Sequence, residues 1–181
     1  MLTNALLVLV VAVGGVLLYA ATRPDTFRVE RSVVINRTPA DVFPLLDNFH
    51  NWVDWSPWEG LDPTMRRTYR GPDQGNGAIY EWEGNSRVGK GHMEITRTES
   101  PTHLTIDLRF VKPFKADNAA AFDLERRGDA TDVTWAVYGP LPFPSKVMSI
   151  FVSMDKLLGK DFDRGLSRLK AAAEQQGRPV S

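Results

Sequence analysis

The sequence predicts an α+β domain in which a curved antiparallel sheet wraps around a long C-terminal helix, preceded by an N-terminal membrane helix. Three observations carry this expectation. Residues 1–22 contain no charged side chain. From Met65 to Tyr138, about six consecutive runs alternate apolar and polar residues, the period-two signature of half-buried strands. After "GPLPFPSK" the period lengthens to near 3.6 and stays there, as it does along an amphipathic helix.

Composition narrows the function classes. A chain of 181 residues has room for one domain and accessories, and a 43% hydrophobic content is that of a packed globule. The 22 basic and 22 acidic residues cancel. With no basic stripe, nucleic acid is not expected as a partner. The absence of cysteine excludes disulfides and thiolate chemistry. His50, His92 and His103 are scattered without metal-ligand spacing, so neither a metal nor a cofactor is expected.

The elements follow in order. "MLTNALLVLVVAVGGVLLYAAT" is apolar from Ala5 to Ala21, and a helix of about 20 such residues spans a bilayer core of about 30 Å. A secretory signal competes with this reading. Against it, no Lys or Arg precedes the stretch, and Tyr19-Ala20-Ala21 is a poor cleavage site. Arg23, Arg28 and Arg31 come next and point to a single-pass protein with a cytoplasmic domain, although Asp25 and Glu30 dilute the bias. The expected division is an anchor over 1–22, a linker over 23–26, a domain over 27–176 and a tail over 177–181.

"FRVERSVVIN" reads as a strand. "TPADVFPLLDNF" reads as a short helix with Thr38 as N-cap and Pro39 in its first turn, bent or ended early by Pro44. Six strands then run through "MRRTYRG", "AIYEWEG", "KGHMEITRTES", "HLTIDLRFV", "ADNAAAFDLERRG" and "TDVTWAVYG". Finally, Val147, Ile150, Phe151, Met154, Leu157, Leu158, Phe162, Leu166 and Leu169 form the stripe of one continuous helix. Ser145 is its expected cap and Gly177-Arg178-Pro179 its stop.

The opening "VERSVVINRTPADVFPLLDNFHNWVDWSPW", the "GNGAIYEWEGN" hairpin and the long final helix resemble the SRPBCC superfamily. These are START-like helix-grip domains that include the polyketide cyclase/dehydrase-like proteins. The similarity covers roughly Phe27 to Gln176, and its pattern, V-x-x-x-V-x-I-x-x-x-P-x-x-V-F ahead of W-x-x-W-S-P-W, marks the fold more than any activity. The resemblance implies a cavity for a hydrophobic small molecule between sheet and helix, and leaves the molecule unnamed.

The residues themselves carry no strong catalytic signature. "GNGAIYEWEG" lacks the spacing of a dinucleotide loop, and no serine sits in a nucleophile elbow. Met93 and Ile95 read as inward, which turns His92 and Glu94 to solvent. Asp107 and Arg109 read as a solvent-face ion pair worth under about 1 kcal/mol. Tyr80, Trp82, Trp135 and Tyr138, with Leu108 and Phe110 on an inward strand face, are the expected ligand wall. Met148, Phe151, Met154 and Leu158 are the expected helix contribution, their thioethers adapting to an irregular apolar ligand.

Of Trp52, Trp55 and Trp58, spaced by three and interrupted by Pro57, at least two are expected to pack a corner. Trp58, beyond the proline, is the ring expected to reach a ligand. The function expected is a membrane-anchored binding or transfer domain for a hydrophobic small molecule or lipid. A cyclase- or dehydratase-like enzyme is the first alternative and requires an ionisable group inside the cavity. A chaperone-like interaction module is the second and requires a filled core with an exposed apolar surface.

Overall fold

A computed structural model describes residues 2–176 of the chain. The expected tail, 177–181, and the expected helix stop at Gly177-Arg178-Pro179 lie outside the described residues. An apolar helix, α1 (Leu2–Ala21), leads into β1 (Thr26–Ile35). Two single-turn helices follow, α2 (Pro39–Val42) and α3 (Pro44–Asp47), then a 3-10 segment at Phe49–Asp54. Six strands come next: β2 (Arg66–Arg70), β3 (Ile79–Glu83), β4 (Lys90–Glu99), β5 (His103–Lys112), β6 (Ala116–Arg127) and β7 (Ala130–Pro140). The chain closes with α4 (Phe143–Phe151) and α5 (Met154–Gln175).

The strands form one antiparallel sheet of seven in the order β1-β7-β6-β5-β4-β3-β2. Five sequential hairpins build most of it, and β1 closes on β7 from Thr26↔Pro140 to Ile35↔Thr131. Seven twisted strands curl, and α5 lies in the hollow. Its buried face, Phe162, Leu166, Leu169 and Ala173, keeps helical spacing against β1 and, through Phe162, against Trp135 of β7. Gly165 allows a close approach: a Cβ there would stand 2.9 Å from the Trp135 ring and 3.0 Å from Pro57. With no side chain in the way, Phe162 stacks on Trp135 at 4.2 Å between centroids.

Pro44 divides the short helix into α2 and α3, because its ring removes a donor and crowds the preceding turn. At the start of α2, the Asp41 carboxylate accepts from the Thr38 N–H at 3.2 Å and from the Thr38 hydroxyl at 2.7 Å. These hydrogen bonds hold Asp41 below its ordinary pKa.

The C-terminal helix departs from expectation. It is broken at Val152 and Ser153, with Val152 extended (φ −137°, ψ 111°) and the Ser153 hydroxyl accepting from the Lys156 N–H at 3.3 Å. Ser153 is therefore the N-cap of α5, and Ser145 sits inside the first turns of α4. The apolar stripe runs in phase across the break and hides it. The local signal was Ser153 with Asp155 in the turn that follows, an N-terminus inside an apparently continuous pattern.

Asp47, at the end of α3, is 8% exposed, and its Oδ1 has no protein hydrogen-bond partner. Burial raises its pKa above the ordinary 3.8. A raised folded-state value means that the folded chain holds this proton more tightly than the unfolded chain does. The associated stability is complete below about pH 3.8 and is lost as pH rises through the folded-state value. Asp47→Asn should therefore gain on the wild type as pH rises from 3.8, and then run parallel. Urea unfolding over a pH series reads this directly; two profiles parallel throughout would show that Asp47 does not titrate differently on folding.

Candidate functional site

Between the sheet and the start of α5 lies a cavity of about 230 Å³ that opens at one end. Its wall is built by strand alternation, with Tyr80 and Trp82 from β3, Met93 from β4, and Leu108 and Phe110 from β5. Ala120 comes from β6, Trp135 and Val137 from β7, and Leu158 from α5. The segment after the 3-10 turn adds Ser56, Trp58 and Glu59 beside Trp52, and Met65 with the β3–β4 turn residues Arg87 and Val88 complete the lining.

The inner wall is buried at Trp52, Tyr80, Trp82, Ala120, Trp135 and Val137. Partial exposure at Trp58, Val88, Leu108, Phe110 and Leu158, with Arg87 exposed, marks the mouth. Two small residues create the space. Ala120 sits between Ile106 and Val137 in the sheet register and offers only a methyl. Gly91 lies opposite Trp82, where a Cβ would come within 2.6 Å of the indole, so its absence lets that ring lie against the strand.

One corner of the cavity is polar. The Tyr80 hydroxyl donates to Glu59 Oε1 at 2.7 Å. Arg67 donates to Glu59 Oε2 through Nε at 2.9 Å and Nη2 at 2.5 Å, and through Nη1 to the Met65 carbonyl at 3.1 Å. The Glu59 side chain is 8% exposed, so this is a largely desolvated ion pair with its geometry satisfied. Burial, and then the bond to Glu59, pushes the Tyr80 phenol far above its ordinary pKa, keeping it protonated and donating. The same bonds raise Arg67. Elsewhere in the core, Trp135 Nε1 is buried with no protein partner, at a cost of about 1–3 kcal/mol.

The expected residues divide cleanly in space. Trp58, Tyr80, Trp82, Leu108, Phe110, Trp135 and Leu158 meet at the cavity, whereas Tyr138 is a correction: it follows Val137 on the other face of β7, beneath the Arg28 guanidinium. Met154 packs on the core beside it without lining it. Met148 and Phe151 are corrections: they stand on α4, 69% and 68% exposed, and face away from the cavity because the break at Val152–Ser153 redirects the chain.

Trp52 and Trp55 are corner residues, their indole N–H groups donating to the Leu46 carbonyl at 2.9 Å and the Leu45 carbonyl at 2.8 Å. Trp58 meets Trp135 and Phe162 edge-on, at 5.7 and 6.4 Å. Sequence reasoning missed Glu59, because a lone acidic residue beside a glycine carries no pattern, and Tyr80 comes 21 positions later. His92 and Glu94 are on the outer face, and Asp107 and Arg109 stand 3.9 Å apart there. Among the described residues, no group of three or more His, Asp or Glu side chains is placed to hold a metal.

Comparison with known proteins accords with this architecture. The family described as polyketide cyclase / dehydrase and lipid transport matches residues 26–174. Among solved structures, the di-domain ARO/CYC BexL from the BE-7585A biosynthetic pathway is similar with a TM-score of 0.63 at 13% identity, over 90% of this chain and 54% of that one. A Thermobifida fusca protein aligns over 85% of this chain and 97% of its own, at 19% identity and a TM-score of 0.58. A Chromobacterium violaceum protein does so over 84% and 99%, at 14% identity and a TM-score of 0.56. At these identities the likeness is one of fold. No curated protein matches the sequence closely enough to count as a relative.

Proposed function

Because the chain belongs to the polyketide cyclase/dehydrase and lipid transport family, we propose that it is a membrane-tethered domain that binds or transfers a hydrophobic small molecule or lipid. The observation that carries this reading is the open cavity walled by aromatic and aliphatic carbon with a single polar corner. At about 230 Å³ it falls somewhat below the roughly 300 Å³ at which drug-sized pockets begin. It suits a ring system, or the end of a longer molecule whose remainder emerges at the mouth.

Glu59 already accepts on both oxygens, so on this reading it fixes Tyr80 and Arg67 and takes no proton from the ligand. The tether is α1, whose Asn4–Ala21 stretch has a mean hydropathy of 2.3 and only 6% of its residues buried. Arg23, Arg28 and Arg31 favour the cytoplasmic side for the domain.

The test is thermal unfolding of delipidated protein with a fatty acid, an isoprenoid, a sterol and an aromatic polyketide in turn. A ligand at a hundred times its Kd adds about 2.7 kcal/mol. For a domain of this size that raises Tm by roughly 5–10 °C. One class should do so; a flat response to all four would refute the reading.

A further inference from the structure

We infer that the outer face of α4 and the corner where it meets α5 are seated in the headgroup layer of the same bilayer that holds α1, beside the cavity mouth. The inference rests on reading α1 as the membrane anchor.

Helix α4 has its amphipathic sense inverted. Met148 and Phe151 share one face at helical spacing, and that face is turned outward, 69% and 68% exposed, with Val152 in the break that follows 42% exposed. Lys146, about 200° round the helix from Met148, is the buried residue, 6% exposed, and its amine pairs with Asp25 just beyond α1. An exposed apolar face on a helix whose lysine points inward calls for an apolar cover.

Position identifies that cover. The Asn4–Ala21 stretch of α1 is about 27 Å long at 1.5 Å per residue, so it fills a core of about 30 Å with no slack. Its C-terminal end therefore lies at the headgroup boundary. Tyr19 and Arg23 stand there, with the guanidinium 5.8 Å from the ring centroid, an aromatic and a cation at the level where such residues anchor a span. Helix α4 packs on α1 in this region: Ala20 is fully buried, Leu141 donates to the Asp25 carbonyl at 2.6 Å, and Lys146 reaches Asp25. The outward face of α4 is thus held at the membrane surface by covalent and packed neighbours.

The start of α5 carries a further exposed apolar residue beside the mouth. Leu157, 56% exposed, directly precedes Leu158 at the mouth. A ligand whose end occupies the cavity can then leave its remainder in the leaflet, without crossing water.

The chain has no cysteine, so single-cysteine labelling is clean. Nitroxide labels go on Met148→Cys and Phe151→Cys in the full chain, reconstituted in 3:1 phosphatidylcholine:phosphatidylglycerol vesicles. Val8→Cys in α1 and Asp129→Cys in the β6–β7 turn are the references. Relaxation by oxygen relative to a water-soluble nickel complex should be several-fold higher at 148 and 151 than at 129, and below that at 8. Water-like values at 148 and 151 with a bilayer-like value at 8 overturn the seating and leave the anchor intact. A water-like value at 8 overturns both. Shielding from both reagents with spin–spin broadening at 148 and 151 assigns the face to a second copy and also overturns the inference. None of these readouts depends on ligand binding, so a failure here is separable from a flat thermal response.

Discussion

Ala120→Phe should abolish binding of an apolar probe while leaving the chain folded. Ala120 is 3% exposed and forms part of the cavity wall, flanked in the sheet by Ile106 and Val137. A phenyl ring there projects into the space a ligand needs. Insertion into a filled core costs about 1–3 kcal/mol in strain. Here about 230 Å³ stands open beside the methyl, so unfolding free energy should stay within about 1 kcal/mol of the wild type. Probe affinity should fall at least tenfold, a loss of about 1.4 kcal/mol or more. Unchanged affinity would put the ligand elsewhere. A stability loss of several kcal/mol would mean that the cavity is closed in solution.

Trp55→Ala should be the most damaging single change in the tryptophan segment. The ring is fully buried, meets Trp52, Phe122 and Trp135 at 4.7, 6.0 and 5.6 Å, and spends its N–H on the Leu45 carbonyl. Emptying such a site costs about 3–5 kcal/mol and also orphans a buried carbonyl. Against a total stability of about 5–15 kcal/mol, that leaves the domain marginal. Trp58→Leu should do the reverse, keeping stability within about 1 kcal/mol, since leucine covers much of the half-exposed contact, and weakening probe binding by roughly tenfold. Chemical unfolding and probe titration on both variants separate the roles. If Trp58→Leu proved as destabilising as Trp55→Ala, Trp58 would be a core residue like its neighbours.

Much of this fold is legible in the sequence, because a period of two over β2–β7 and of 3.6 over α5 each report a buried face directly. The inward sets Tyr80 and Trp82, Leu108 and Phe110, and Trp135 and Val137 follow from alternation alone. What alternation cannot carry is volume. The cavity depends on a small Ala120 on β6 and on Gly91 on β4, on either side of β5, leaving room for the Trp82 ring, and smallness has no period.

Nor can one-dimensional patterning see a carboxylate such as Glu59 that meets Tyr80 and Arg67 only after the sheet has closed. Met148 and Phe151 show a different limit. Their apolar character and phase agree with the α5 stripe, but two residues of extended chain at Val152–Ser153 turn that face outward, away from the cavity. An apolar stripe reports that a face is covered and does not say by what.

The central claim is that an apolar molecule sits between the sheet and α5. Four of the five tryptophans, Trp52, Trp58, Trp82 and Trp135, line that space, so a polyene acceptor bound there must quench their emission. Titrating the full chain in lipid nanodiscs with cis-parinaric acid tests the claim most directly. The account requires saturable quenching at one probe per chain, absent in Ala120→Phe. Quenching that rises linearly without saturation, and equally in both proteins, would report partition into the bilayer and contradict it.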